Sequence, residues 1–147
     1  MIDWNSLPDE RSYRFVAILN KKIERGKLMN ALGHMTAGLA GKVGKSEEMC
    51  FLEYKDKDDG SHPVISHFPF IVLSADNSNK IRVVRNEAIK REIPFTDFTS
   101  TMTVGTSQQQ VEATANSVEV DLEYYGIVLF GQTSVLQEFT NKFSLFK

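Results

Sequence analysis

Residues 14–42 read "RFVAILNKKIERGKLMNALGHMTAGLAGK", an apolar run followed by a helical repeat of apolar residues. The run over residues 14–20 is rich in strand-forming residues and predicts a buried strand. A polar loop over residues 21–26 comes next. In residues 27–43 the apolar side chains then fall on one stripe of a helix, at Leu28, Leu32, Met35 and Leu39. The stretch therefore predicts a strand, a loop and a helix in succession.

The rest of the chain continues this alternation of strands and helices. Further strands are predicted over residues 48–56, 68–75, 93–102 and 124–131, and further helices over residues 77–92, 107–116 and 133–141. The segment 57–63, "KDDGSHP", is typical of a turn. We expect a single domain over residues 1–147 with an α/β fold, in which helices pack on both faces of a mixed, mostly parallel central sheet.

Composition places the chain among ordinary globular domains. It has 147 residues, a formal net charge of −2 and 41% hydrophobic residues. Its apolar runs are far shorter than the roughly 20 residues that cross a bilayer, and residues 1–12 lack the apolar core of a signal peptide. The single cysteine, Cys50, excludes an internal disulfide and fits a reducing compartment. We therefore expect a cytoplasmic protein without a membrane segment.

Positive charge is concentrated in one part of the chain. Residues 11–45 hold eight basic residues and one acidic residue, a net charge of +7, whereas the rest of the chain is acidic. Such asymmetry favours an anionic partner, tRNA or another anionic ligand. The alternative is a solvated basic face that acidic residues balance nearby in space.

The helix over residues 27–43 has an unusual second face. Lys27, Asn30 and His34 lie at i, i+3 and i+7, away from the apolar stripe, and small residues flank them, namely Ala37, Gly38 and Gly41. A glycine weakens a helix by about 1 kcal/mol relative to alanine. We interpret this face as a surface kept free of bulk, where Lys27 serves an anion and His34 transfers protons. The alternative is a solvated Lys27 and a half-buried, hydrogen-bonded His34.

A carboxylate stands in the strand predicted over residues 93–102. Asp97, Thr99 and Thr101 alternate along it and would share one strand face. Because aspartate is depleted in strands, Asp97 is either the cap of a turn or a carboxylate placed for chemistry.

The sequence predicts neither a metal site nor a cofactor. The spacing of Cys50, His62 and His67 fits no standard zinc pattern. The segment "DKDDG" at residues 56–60 has its glycine one position too early for a calcium loop. Both features are typical of a turn and its flanks.

Several segments resemble a known family, the type II peptidyl-tRNA hydrolases. The closer similarity is to a group of uncharacterised, mostly bacterial proteins assigned to that superfamily. It lies in "FVAILNKK", "NALGH", "DFTSTM", "YYGIVLFG" and "TNKFSL", which extend from residue 15 to residue 145. The resemblance implies the α/β fold of those hydrolases.

The hydrolase signatures read Gly-Lys-x-x-x-Gln-x-x-His and Asp-Ala-Gly-x-Thr. The residues that match them here are Gly26, Lys27, His34, Asp97 and Thr101. Ala31 stands where the first signature has glutamine, and Thr99 stands where the second has glycine. The neighbouring Asn30 carries an amide that could replace the glutamine.

By this resemblance the protein is a hydrolase of peptidyl-tRNA or of a related aminoacyl ester. His34 would pass protons between water and the leaving hydroxyl, and Asp97 would orient its imidazole. Lys27 would hold a phosphate or the developing oxyanion, and Thr101 would bind the water. The backbone of the RNA would be steered by three further cations, Lys21, Lys22 and Arg25.

The alternative is a non-hydrolytic binding domain on the same fold, which recognises a small anion, a nucleotide or a protein partner. Convergence of Lys27, Asn30, His34, Asp97 and Thr101 on one open cleft would favour the enzyme. An Asp97 that caps a turn remote from His34 would favour the binding domain. The sequence also leaves open a homodimer formed through the helix over residues 77–92 or through an edge strand.

Overall fold

The computed structural model describes residues 1–147, with the side chain of Ser46 excepted. Its strands are β1 (Tyr13–Asn20), β2 (Phe51–Lys55), β3 (Ser61–Ser66), β4 (Phe70–Ala75), β5 (Phe95–Thr99), β6 (Tyr124–Gln132) and β7 (Ser144–Leu145). Its α-helices are α1 (Arg25–Val43), α2 (Ser46–Met49), α3 (Ser78–Lys90), α4 (Ser107–Ala115) and α5 (Thr133–Thr140). Short 3-10 turns lie at Trp4–Ser6, Ser100–Thr103 and Glu119–Asp121.

The central sheet has five strands in the order β5-β6-β1-β4-β7. Only β1 and β4 pair in parallel, while the other three pairs are antiparallel. The expected mixed sheet is confirmed, but the expectation that it is mostly parallel was wrong. Strands β1, β4 and β5 do point the same way, yet β6 runs in the opposite direction and lies between β1 and β5. Strand order and direction depend on pairings between distant segments, which local hydrophobic patterns do not record.

Helices cover both faces of this sheet, as expected. On one face α1 packs against a core that includes Phe15, Ala17 and Leu19 of β1. On the other face α3 and α5 pack against a core that includes Val16 and Ile18 of the same strand. Because successive side chains of a strand point to opposite faces, a strand covered on both sides is apolar throughout.

Helix α1 lies very close to β6. A Cβ atom on Gly126 of β6 would lie 2.8 Å from Leu19 Cδ2, 2.9 Å from the carbonyl oxygen of Ile18 and 3.0 Å from Met35 Cε. The helix buries Ala31 completely, whereas Leu32 of the predicted stripe is only half-buried. A side chain at residue 126 would collide with the β1 backbone at Ile18 and with the Leu19 side chain, and it would displace the end of Met35 of α1.

The segment between α1 and β4 differs from its prediction. Residues 46–49 form the short α2, β2 begins only at Phe51, and the predicted turn runs into β3. Strands β2 and β3 pair as a separate two-stranded antiparallel sheet. Every residue of β3 except Ser66 is exposed, so no alternation of buried and polar residues marked it as a strand. Among the described residues, no helix combines the length and the hydropathy needed to cross a membrane.

Candidate ligand-binding cleft

An open cleft of about 990 Å³ lies between α1, β5 and α4. The α1 wall contributes Lys27, Asn30, His34 and Gly38. The opposite side is formed by Phe98, Met102, Ser107, Gln110 and Tyr125. A hydrogen bond of 2.6 Å from Thr96 Oγ1 to the carbonyl oxygen of Met35 fastens β5 to α1 at its floor. The cleft is therefore bordered by α1, α4 and the end of β5.

The polar face predicted for α1 forms one wall of this cleft. Lys27, Asn30 and His34 are exposed and border the same cavity. The His34 ring stacks on Phe98 with 6.0 Å between ring centroids. Among the residues that the structure describes, neither ring nitrogen of His34 has a hydrogen-bond partner. The alternative of a half-buried, hydrogen-bonded His34 was therefore wrong.

The signature positions of the helix end up in different surroundings. Ala31, at the glutamine position, is fully buried on the face of α1 that packs on the sheet, while Asn30 lines the cleft. An amide at residue 31 would lie in the apolar core between helix and sheet. In this chain Asn30 is therefore the residue that brings an amide to the α1 wall.

Asp97 borders the cleft but does not pair with His34. Its neighbours in β5, Thr96 and Phe98, face α1, so the Asp97 side chain points to the α3 face. There its Oδ2 accepts a hydrogen bond of 2.9 Å from Arg85 Nε. The side chains of Asp97 and Arg85 are only 17% and 27% exposed. The expected orientation of the His34 ring by Asp97 is not made in this structure, and Asp97 caps no turn.

Thr101 lies outside the strand on which it was expected. Strand β5 ends at Thr99 with a shift of register, and Thr101 belongs to the following 3-10 turn. Its Oγ1 lies 2.7 Å from Thr99 Oγ1 and 2.8 Å from Thr114 Oγ1. Thr101 thus ties the turn to α4, and its hydroxyl is engaged in a chain of threonines rather than pointing into the cleft.

The three cations expected to steer RNA lie in different settings. Lys21 Nζ is 2.7 Å from Asp76 Oδ1, and hydrogen bonds from Lys21 and then Lys80 lower the pKa of Asp76 to about 2. Arg25 Nη2 donates to the carbonyl oxygen of Lys147 at 2.8 Å. Lys22 is exposed. For Lys21, the alternative of a basic residue balanced by a nearby acid is the one observed.

A second polar network, on the α3 face, was not foreseen. Arg82 Nε and the Tyr124 hydroxyl both donate to Glu119 Oε1, at 2.9 and 2.8 Å. Burial, followed by the hydrogen bond to Glu119, raises the pKa of Tyr124 to about 12. These side chains come from α3, β6 and the turn before β6, so no spacing along the chain could have revealed the network.

The residues that α4 contributes to the cleft, Ser107 and Gln110, were not among the predicted site residues, although the helix itself was predicted over residues 107–116. The sequence does carry a local signal for it, since Thr106 and Gln109 form a capping box at the start of α4. That signal locates the helix but not its position opposite α1. Among the described residues, no three or more histidine, cysteine, aspartate or glutamate side chains are grouped so that they could hold a metal ion.

Comparison with known proteins gives a family and a structural neighbour. A family model described as "Protein of unknown function (DUF2000)" matches residues 13–147. No curated protein gives a significant match. Among solved structures, the chain is similar to a protein of unknown function from Agrobacterium tumefaciens strain C58. The TM-score is 0.79 at 15% sequence identity, over 92% of this chain and 98% of that one. A likeness at this identity shows the fold alone.

Proposed function

The chain belongs to the family of unknown function whose model spans residues 13–147, and we propose that it binds a small anionic ligand in the cleft beside α1. One observation carries this proposal. Lys27 and His34 share an exposed helical face with Asn30 at the wall of the cleft. Among the described residues, no carboxylate lies within 4.0 Å of the Lys27 ammonium.

Electrostatics support an anion at this wall. Lys27 and Gly26 lie in the first turn of α1, where the helix dipole and the free backbone N–H groups favour negative charge. Glu24 borders the same cleft and opposes this effect. Replacement of Glu24 by glutamine should therefore tighten the binding of an anion.

Titration with inorganic phosphate, followed by calorimetry, tests the proposal. We expect Lys27→Gln to weaken phosphate binding about tenfold, which corresponds to about 1.4 kcal/mol. Lys22→Gln is the matched control, because Lys22 is an exposed lysine outside the cleft. Equal losses in the two variants would mean non-specific charge attraction and would contradict the proposal.

The second candidate is hydrolysis of peptidyl-tRNA or of a related aminoacyl ester, with the type II peptidyl-tRNA hydrolase-like fold and the cytoplasmic location that this implies. The exposed imidazole of His34 favours it, because its ring nitrogens are free to take a proton from water. Lys27 would stabilise the oxyanion, and Asn30 would orient the water. Asp97 and Thr101 have no direct part in this version, since their polar groups are engaged elsewhere.

A peptidyl-tRNA cleavage assay distinguishes the two candidates. Under the hydrolase hypothesis His34→Ala abolishes turnover, while Asp97→Asn retains most of it because Asp97 does not contact the imidazole. No turnover by the unmodified protein would remove the hydrolase and leave the binding function. Turnover that survives in His34→Ala would instead remove His34 as the group that transfers the proton.

A further inference from the structure

A second cavity, of about 700 Å³, lies on the other flank of α1, between the helix and the β2–β3 hairpin. We call it the apolar groove, and its walls include Met29, Leu32, Phe51, Ile65 and Phe70. Met29 is 73% exposed and Ile65 61% exposed. Removal of such apolar surface from water is favourable, so the groove favours an apolar occupant.

The polar side chains that line the apolar groove are already used within the protein. Thr36 Oγ1 donates to the carbonyl oxygen of Leu32 at 2.8 Å, and Ser66 Oγ donates to the carbonyl oxygen of Met49. The groove therefore has no side-chain hydrogen-bond donor to spare among its described residues. It suits a hydrocarbon chain or ring and not a polar group.

The crest of α1 between the apolar groove and the cleft carries small residues at Gly33, Ala37 and Gly38, with His34 as the larger residue beside them. Gly33 and Ala37 line the groove, while the next residues along the helix, His34 and Gly38, line the cleft. A Cβ atom on Gly33 would meet no atom within 4 Å. Packing inside the protein thus gives no reason for a glycine, which destabilises a helix relative to alanine. A low crest lets one molecule pass from one flank to the other.

We propose that the ligand of the cleft is an amphipathic organic anion, whose charged end lies beside Lys27 and whose apolar chain or ring crosses the α1 crest into the apolar groove. This inference rests on the proposed anion site. Charge complementarity places the anionic end, because Lys27 and His34 lie on the cleft side of the crest and the groove lining has no charged residue.

The size of the helix sets the length of the ligand. An α-helix with its side chains is about 10–12 Å across. A ligand that touches both flanks must extend over a comparable distance. Decanoate is long enough, whereas butanoate reaches only the cleft. The class is therefore a long-chain or extended aromatic carboxylate, phosphate or related anion.

Calorimetric titrations with butanoate, decanoate and 1-decanol test the inference. We expect decanoate to bind at least tenfold more tightly than either of the other two. Lys27→Gln should weaken decanoate about tenfold and leave 1-decanol within twofold. Gly33→Leu, which raises the crest, should weaken decanoate about tenfold and leave butanoate within twofold.

Gly41→Leu is the matched control for Gly33→Leu. A Cβ atom on Gly41 also meets no atom within 4 Å, and Gly41 lines neither cavity. Decanoate binding within twofold of the unmodified protein is expected for this variant, and thermal unfolding confirms that both variants are folded.

Two results would overturn the inference. Decanoate that binds no better than butanoate would exclude the apolar groove as part of the ligand site. If Lys27→Gln still weakens butanoate in that case, the proposed anion site at Lys27 stands without the groove. A dimer in light scattering that Gly33→Leu dissociates, with no decanoate bound, would assign the groove to a second copy of the chain. Failure of every anion to bind would instead remove the proposed function itself.

Discussion

The two sides of the sheet near β5 differ in how the polar groups that lie there are satisfied. On the α3 face, Asp97 is paired with Arg85, and Tyr124 with Glu119. On the α1 face, the side chains of Lys27 and His34 border an open cleft without a partner among the described residues. Half-buried groups that find partners stabilise a fold, whereas polar groups left without partners beside a cavity are candidates for binding. The comparison directs functional work to the α1 face.

Removal of Asp97 should produce the largest change in stability. Asp97→Ala leaves the Arg85 guanidinium half-buried without its carboxylate, and we expect a loss of about 2 kcal/mol in the free energy of unfolding. Urea denaturation measures it. His34→Ala is the control from the other face, where we expect a change within about 0.5 kcal/mol. A larger loss for His34→Ala would reverse the comparison.

Tyr124 should show an intermediate effect that depends on pH. Tyr124→Phe removes the hydrogen bond to Glu119 and should cost about 1 kcal/mol at neutral pH. The pKa of Tyr124 is raised from 10.0 to about 12 in the folded protein. The unfolded chain therefore loses its phenolic proton first, so the contribution of Tyr124 to stability is constant below pH 10.0 and declines as the pH rises to about 12.

Urea midpoints at the two ends of this pH range measure the effect of Tyr124. The unmodified protein should lose more stability across the range than Tyr124→Phe, which lacks the titrating group. Identical losses would mean that the hydroxyl of Tyr124 is not held by the α3-face network.

The smallest expected effect has the opposite sign. Gly41→Ala on the exposed surface of α1 should raise the free energy of unfolding by about 0.5–1 kcal/mol, because the new methyl group meets open space and alanine favours the helix. Thermal unfolding measures the gain. A loss would show that contacts constrain the helix surface at Gly41.

The strand-loop-helix unit of β1 and α1 could be predicted from sequence, because its signals lie within single elements. The spacing of Lys27, Asn30 and His34 within one helix fixed their common face in the same way. The partner of Asp97 could not be predicted, since Arg85 lies in α3 and reaches Asp97 only through the packing of the sheet.

The directions of the strands could not be predicted from local sequence patterns either. The segment of β6 was correctly identified as a buried strand, but its place between β1 and β5 depends on pairing with both of them. Strand β3 escaped prediction for a different reason, because its residues are almost all exposed and carry no buried stripe. Features that depend on one element alone could be predicted from the sequence, and features that depend on two distant elements could not.

The late position of β6 has a consequence for how the chain is made. The buried side chain of Asn20, at the end of β1, donates its hydrogen bond to the carbonyl oxygen of Tyr124, a residue 104 positions later. During synthesis on the ribosome, one edge of β1 therefore stays unpaired until β6 has emerged. Fragments that stop before residue 124 lack the strand that joins β5 to β1, and they should be aggregation-prone and quickly degraded in the cell.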